Sequence, residues 1–117
     1  MPNPARLRCR LRIVGSRDFA IGPGKVDLLE AIAEAGSISA AARTLGMSYR
    51  RAWLLVDEMN RAFKSSVVGT TTGGTQGGGA ALTPLGREVV RRYRNIETIA
   101  ERAGDAEITA LARLLAR

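Results

Sequence analysis

Histidine is absent from this 117-residue chain, and cysteine occurs once, at Cys9. Those two shortages remove histidine-based triads, intrachain disulfides and zinc sites built from Cys and His. No metal, cofactor or catalytic residue is expected. Asp57 and Glu58 are neighbours on one helix and face different ways, which argues against a catalytic carboxylate pair. The chain is therefore read as a non-enzyme. Aromatic residues supply only 4% of the composition, so the core has to be mainly aliphatic. No apolar run approaches the roughly 20 residues of a membrane span, and the N-terminus lacks the apolar core of a signal peptide. A membrane is not expected as a partner, and the cytoplasm is the simplest location.

What the chain has in excess is positive charge, a formal +7 with a pI near 11.0. A polyanionic partner follows from that balance, because each Lys or Arg placed on a phosphate releases a counterion. Residues 1–64 hold 11 Lys and Arg against 6 Asp and Glu, whereas residues 65–117 hold 7 against 5. Most of the excess travels with the first half. The length fits one domain, 1–117, with a modest core.

That first half contains SISAAARTLGMSYRRAWLLVDEMNRAF, from Ser37 to Phe63. Ala41, Ala42 and Leu45 share one helical face, and the alanines let a second helix cross closely. Gly46 can take the positive φ that stops a helix within one residue, and Ser48 can cap the next. Ala52, Leu55, Val56, Met59 and Phe63 then recur at helical spacing. This is the layout of a helix-turn-helix over 38–63, within a helical core over 24–63. Its second helix exposes Ser48, Tyr49, Arg50, Arg51 and Leu54, and in this motif that helix enters the major groove of DNA.

Upstream, Leu7, Cys9, Leu11 and Ile13 alternate with Arg6, Arg8, Arg10 and Arg12, a period of two that predicts a half-buried strand with a solvated arginine row. Gly15-Ser16-Arg17 is a turn signal, and Phe19 and Ile21 can return as a second strand, giving a hairpin over 6–22. Cys9 is expected inward, as core. Gly22-Pro23-Gly24-Lys25 breaks the extended pattern; it lacks the spacing of a phosphate loop, and Val26 stands where Ser or Thr would hold magnesium. Val26, Leu28, Leu29, Ile32 and Ala33 fit a helix that ends at Gly36, with Ser37 or Ser39 capping the next.

Downstream, Val67-Val68 and Ala80-Ala81-Leu82 flank a Gly- and Thr-rich tip, predicting a β-wing over 67–82; a flexible linker is the other reading. Thr83-Pro84 restarts order as cap and first helical residue. Leu85, Val89, Tyr93, Ile96, Ile99, Ala100 and Ala103 then recur in steps of three and four over about five turns. So long a stripe suits an intermolecular helix pair, placing a dimer interface in helices over 83–116. Gly104-Asp105 interrupts it, and Ile108, Leu111, Leu114 and Leu115 mark a short final helix.

The sequence resembles the DNA-binding domain of the molybdate-responsive transcription regulators, the ModE family, which share a winged helix with the LysR-type regulators. The resemblance rests on SISAAARTLGMSYRRAWLLVDEMN, on TGGTQGGGAALTPLG from Thr72 to Gly86, and on the upstream GKVDLLEAIAEAGSIS. It implies a homodimer whose recognition helices fall in successive major grooves of a palindrome. Ser48, Tyr49, Arg50 and Arg51 match the start of the family's recognition helix, and Thr72, Gly73 and Gly74 match its wing. The family's wing usually continues with a lysine, where this chain has Thr75-Gln76. The molybdate-binding domains that follow in the family are not in the sequence, so molybdate sensing is not implied.

The expected fold is mainly α with small β-hairpins: a winged helix-turn-helix, three helices plus wing, followed by a long C-terminal dimerisation helix. The expected function is sequence-specific recognition of double-stranded DNA by a homodimer, with a separate effector or sensor protein as a further partner. Ser48, Tyr49, Arg50 and Arg51 would address the major groove; Ser37, Ser39, Thr72, Gly73, Gly74, Thr75 and Gln76 would hold the backbone. Tyr49 is compatible with a base edge, a phosphate or packing under the wing, whereas Trp53 is expected to pack between helix and wing. A protein-interaction module and a sequence-blind architectural DNA binder are the competing classes.

Overall fold

A computed structural model describes residues 7–71 and 78–116. The elements run β1 (Ile13–Val14), β2 (Ala20–Ile21), α1 (Pro23–Ala35), α2 (Ile38–Leu45), α3 (Tyr49–Ala62), β3 (Val68–Thr71), β4 (Gly79–Leu82), α4 (Pro84–Ala103) and α5 (Asp105–Ala112). This is the expected winged helix: three short helices, a hairpin wing and a long helix behind it.

The helices begin and end where local chemistry allows. Pro23 and Pro84 each occupy a first helical turn, where a missing N–H costs nothing. Ser37 Oγ accepts from Ala40 N, Ser48 Oγ from Arg51 N and Thr83 Oγ1 from Gly86 N, each at 3.0–3.1 Å. Ser39 caps nothing and lies exposed in the first turn of α2. Gly36 (φ 78°) and Gly46 (φ 68°) close α1 and α2 in the left-handed region.

The core forms where α1, α2 and α3 cross. Leu28, Leu29, Ile32, Ala41, Ala52, Met59 and Val67 are fully buried there. Ala31 rather than Ala33 completes the buried face of α1; Ala33, more than half a turn further round, is exposed. The antiparallel pair β3 and β4 matches Val68 with Leu82 and Thr71 with Gly79. Gly86 marks the tightest approach, since a Cβ placed there would sit 2.1 Å from Val67 O. The first turn of α4 is thereby pressed against the base of the wing.

The N-terminal segment departs from the expected strand. Only Ile13–Val14 pairs with Ala20–Ile21, while residues 7–12 have no regular structure. The alternation survives as burial: Leu7, Cys9 and Leu11 are half-buried, and Arg8, Arg10 and Arg12 are exposed. Tyr93 Oη donates to Leu11 O at 2.6 Å, so the segment is held by a side chain of α4 rather than by a partner strand. Cys9 is consequently half-buried and not core. Arg6 lies outside the described residues.

The C-terminal stripe divides in two. Leu85 and Val89 pack on the core of their own chain, and Tyr93 is 2% exposed against Ile21 and Val26. Within the one chain, then, Leu85 and Val89 are partly covered and Tyr93 is fully covered. Beyond Tyr93 the apolar face opens: Ile96, Ile99 and Ala103 are exposed and Ala100 is half-buried. The final helix, Asp105–Ala112, ends before the expected Leu114 and Leu115, and Leu111, Leu114 and Leu115 are exposed on and after it. The radius of gyration of 17.1 Å exceeds the roughly 13 Å of a compact chain of this length, in keeping with a helix that projects from the core.

Candidate nucleic-acid interface

Ser48 lies between the left-handed Gly46 and the first residue of α3. Gly46 N donates to Arg43 O and Met47 N to Ala42 O, so the turn is closed by its own backbone. The buried seam of Ala52, Val56 and Met59 then fixes the rotation of α3 on the core. Tyr49, Arg50 and Arg51 are left exposed at its N-terminal turn. None of the three has an ion-pair partner among the described residues. Tyr49, at 56% exposure, does not pack under the wing.

Trp53 differs from expectation. It is 47% exposed instead of buried between helix and wing, because Asn60, not Trp53, joins those elements. Asn60 Oδ1 accepts from Val67 N (2.8 Å) and Val68 N (3.1 Å), and Nδ2 donates to Val68 O (3.2 Å). One side chain thus sets the wing's first strand against α3. The second strand is set from the other side, where Ala80 N donates to Gly36 O at 2.8 Å. Sequence reasoning missed Asn60, because its role depends on which segment meets α3.

Lys25, from the glycine-rich stretch, is committed to structure. Its ammonium donates to Ala20 O and to Glu58 at 2.6 Å each and lies 4.5 Å from the centre of the Phe19 ring. It clamps α1 to α3 and takes no part in a phosphate loop. Asp57 pairs with Arg61 one turn on, so the adjacent carboxylates Asp57 and Glu58 serve different ion pairs. Ser37 is occupied as a cap. Thr72, Gly73, Gly74, Thr75 and Gln76 lie outside the described residues.

Behind the interface, Arg94 fixes α4 to α1. Its guanidinium pairs with Glu30, with Asp27 at 2.7 Å and with Glu97 at 2.8 Å. The hydrogen bonds to Glu30 push its pKa above the ordinary arginine value, against the opposing effect of desolvation, and Glu97 and Asp27 add to the rise. Burial pushes the Tyr93 hydroxyl up, and the nearby Glu97 reinforces it. On the exposed side of α4, the hydrogen bond and charge of Arg92 hold Glu88 below its usual range.

Much of the chain is similar to known proteins. Over 91 residues the chain is 46% identical to the molybdenum-pterin-binding protein MopB of Rhodobacter capsulatus, a match covering 77% of this chain and 34% of that one. It is 41% identical over 92 residues to the molybdenum transport protein ModE of Azotobacter vinelandii, covering 79% and 34%. It is 40% identical over 83 residues to the DNA-binding transcriptional dual regulator ModE of Escherichia coli K12, covering 71% and 32%. The chain thus spans about a third of the length of the curated relatives it matches. Among solved structures, the DNA-binding domain of CbnR in its DNA complex superposes with a TM-score of 0.57 at 24% identity, covering 75% of this chain and 95% of that one. Full-length CbnR, a LysR family transcriptional regulator, gives a TM-score of 0.53 at 24% identity over 72% of this chain and 27% of that one. At that identity the likeness is one of fold. The profile of the bacterial regulatory helix-turn-helix protein, lysR family, matches residues 24–87, from α1 through the wing into α4. The chain belongs to that family of bacterial regulatory helix-turn-helix proteins.

Proposed function

We propose that the chain regulates transcription by binding a palindromic DNA duplex as a homodimer, with α3 in the major groove. One observation carries the reading: Tyr49, Arg50 and Arg51 stand exposed on the first turn of a helix whose rotation the core fixes. Arginine there can pair bidentately with guanine or hold a phosphate. Occupancy of a promoter site, most simply repression by blocking polymerase, is the mechanism. Molybdenum, named for two of the relatives, is a property of proteins of which this match spans about a third.

An apolar face left open among the described residues supports a second copy of the chain. Ile99 is 66% exposed and Leu114 80%, with Ile96, Ala103, Leu111 and Leu115 beside them in the chain. Covering these residues in a symmetric pair removes apolar surface from water at about 25 cal/mol per Å². The pairing face therefore lies beyond Tyr93, on the end of α4 and on α5.

Selection from a random duplex pool tests the reading. A palindromic site should be enriched, and Arg50→Ala with Arg51→Ala should weaken binding. The loss should be about 1–3 kcal/mol for an arginine that reads guanine, and the salt slope should shrink by about 1 for each arginine that neutralised a phosphate. Unchanged binding by the double variant would refute it. A light-scattering mass near 12.5 kDa at micromolar concentration would refute the dimer.

A further inference from the structure

On α3 two large apolar side chains lie among charges: Leu54 is 48% exposed and Trp53 47%. Successive helical residues advance by about 100°, so positions can be placed relative to the buried seam of Ala52, Val56 and Met59. Leu54 and Arg50 fall opposite that seam, at the centre of the outward face. Trp53 falls about a quarter turn from the seam, on the flank where Asn60 reaches β3. Arg61, 77% exposed, and Asp57 continue the outward face, and Arg51 borders it. A leucine and a tryptophan framed by arginines are poorly suited to water alone. Nor does the core need them, since Ala52, Val56 and Met59 already fill its α3 side.

We infer that Leu54, with Trp53 beside it, reads thymine C5-methyl groups in the major groove next to the base pair that Arg50 addresses. The inference rests on the DNA-binding reading and sharpens it. Leu54 lies one turn beyond Arg50, about 6 Å along the helix, or close to two base-pair steps. The thymine methyl is the one apolar feature that the major groove presents. An apolar side chain covering adenine N6 or cytosine N4 would leave a donor unpaired, so the same residue favours thymine and penalises its competitors. The arginines around it supply the attraction to the phosphates that an apolar patch alone lacks.

The experiment takes the duplex selected by the full chain and replaces each thymine singly by deoxyuridine, which deletes the methyl and leaves base pairing intact. Affinity should fall about fourfold at one or two thymines of each half-site, the worth of one buried methyl. Leu54→Ala or Trp53→Ala should bind the thymine and deoxyuridine duplexes equally at those positions, while keeping the wild-type circular dichroism because both sites are half-exposed. Equal wild-type affinity for every substituted duplex would overturn the inference and leave DNA binding standing. So would full methyl sensitivity in both variants. A pool that yields no bound duplex would overturn both readings together.

Discussion

Replacing Gly86 by alanine sets helix propensity against packing, and packing should win. In an exposed helix interior the change would stabilise by up to about 1 kcal/mol. Here the new Cβ would lie 2.1 Å from Val67 O and 3.0 Å from Val67 C, far inside contact distance. The obstacle is a backbone carbonyl that also accepts from Thr83 N at 3.0 Å, so it cannot rotate away without breaking the junction of wing and α4. Overpacking ordinarily costs about 1–3 kcal/mol; here, where backbone must move, the cost lies at or above the upper end, about 3–4 kcal/mol, which leaves a net loss near 2–3 kcal/mol after the propensity gain. At roughly 4 °C per kcal/mol, thermal unfolding should shift down by about 8–12 °C. Gly24→Ala is the matched control, because no atom lies within 4 Å of its Cβ position, also in a first helical turn. Calorimetry on the two variants should give opposite signs. A Gly86→Ala protein as stable as wild type would refute the close approach of α4 to Val67.

Asn60→Ala should destabilise by about 2–4 kcal/mol in denaturant titrations, because it strands the N–H groups of Val67 and Val68, which are 0% and 2% exposed. It should also weaken DNA binding, since it frees the wing's first strand from α3; unchanged stability would show that the amide is not the link. For Tyr93 the folded pKa is raised, so its contribution is complete below the ordinary tyrosine pKa near 10 and is lost as pH rises through the folded value. Thermal stability of the wild type should therefore fall as pH rises past the ordinary tyrosine value, and Tyr93→Phe should be less stable already at neutral pH and lack that further alkaline fall. Arg94→Met leaves Asp27, Glu30 and Glu97 facing one another; with Arg94 one-third exposed, a loss of about 1–2 kcal/mol is expected, partly recovered by added salt. A loss insensitive to salt would assign the effect to packing instead of charge.

Most of α2, α3 and their turn was legible because short-range chemistry sets them. Ser37, Gly46 and Ser48 act on atoms within three or four residues, and Ala52, Val56 and Met59 repeat at the helical period. What escaped depends on which segments meet. Nothing local marks Gly86 as the place where α4 touches Val67, or Asn60 as the tie between α3 and β3. The alternation of Leu7 to Ile13 predicted which side chains turn inward, yet a strand also needs a neighbour to bond, and only Ile13 and Val14 have one. The stripe on α4 reads at full length because periodicity measures amphipathicity and not its partner; α1 and β2 claim the first half. The size of Trp53 points to burial, although its angle on the helix puts it at the flank. Of the candidate site, helical spacing placed Tyr49, Arg50, Arg51 and Leu54 outward on α3, and all four are exposed, whereas the wing residues 72–76 lie outside the described part of the chain.

The two anchors of the wing, Asn60 on β3 and Gly36 on β4, have a kinetic meaning. A hairpin base stapled to both neighbouring helices has little freedom left to surrender when it meets a ligand, so, under the proposed function, few encounters with DNA would be lost to wrong relative poses of wing and helix. Loosening either staple should lower the association rate as well as shorten residence.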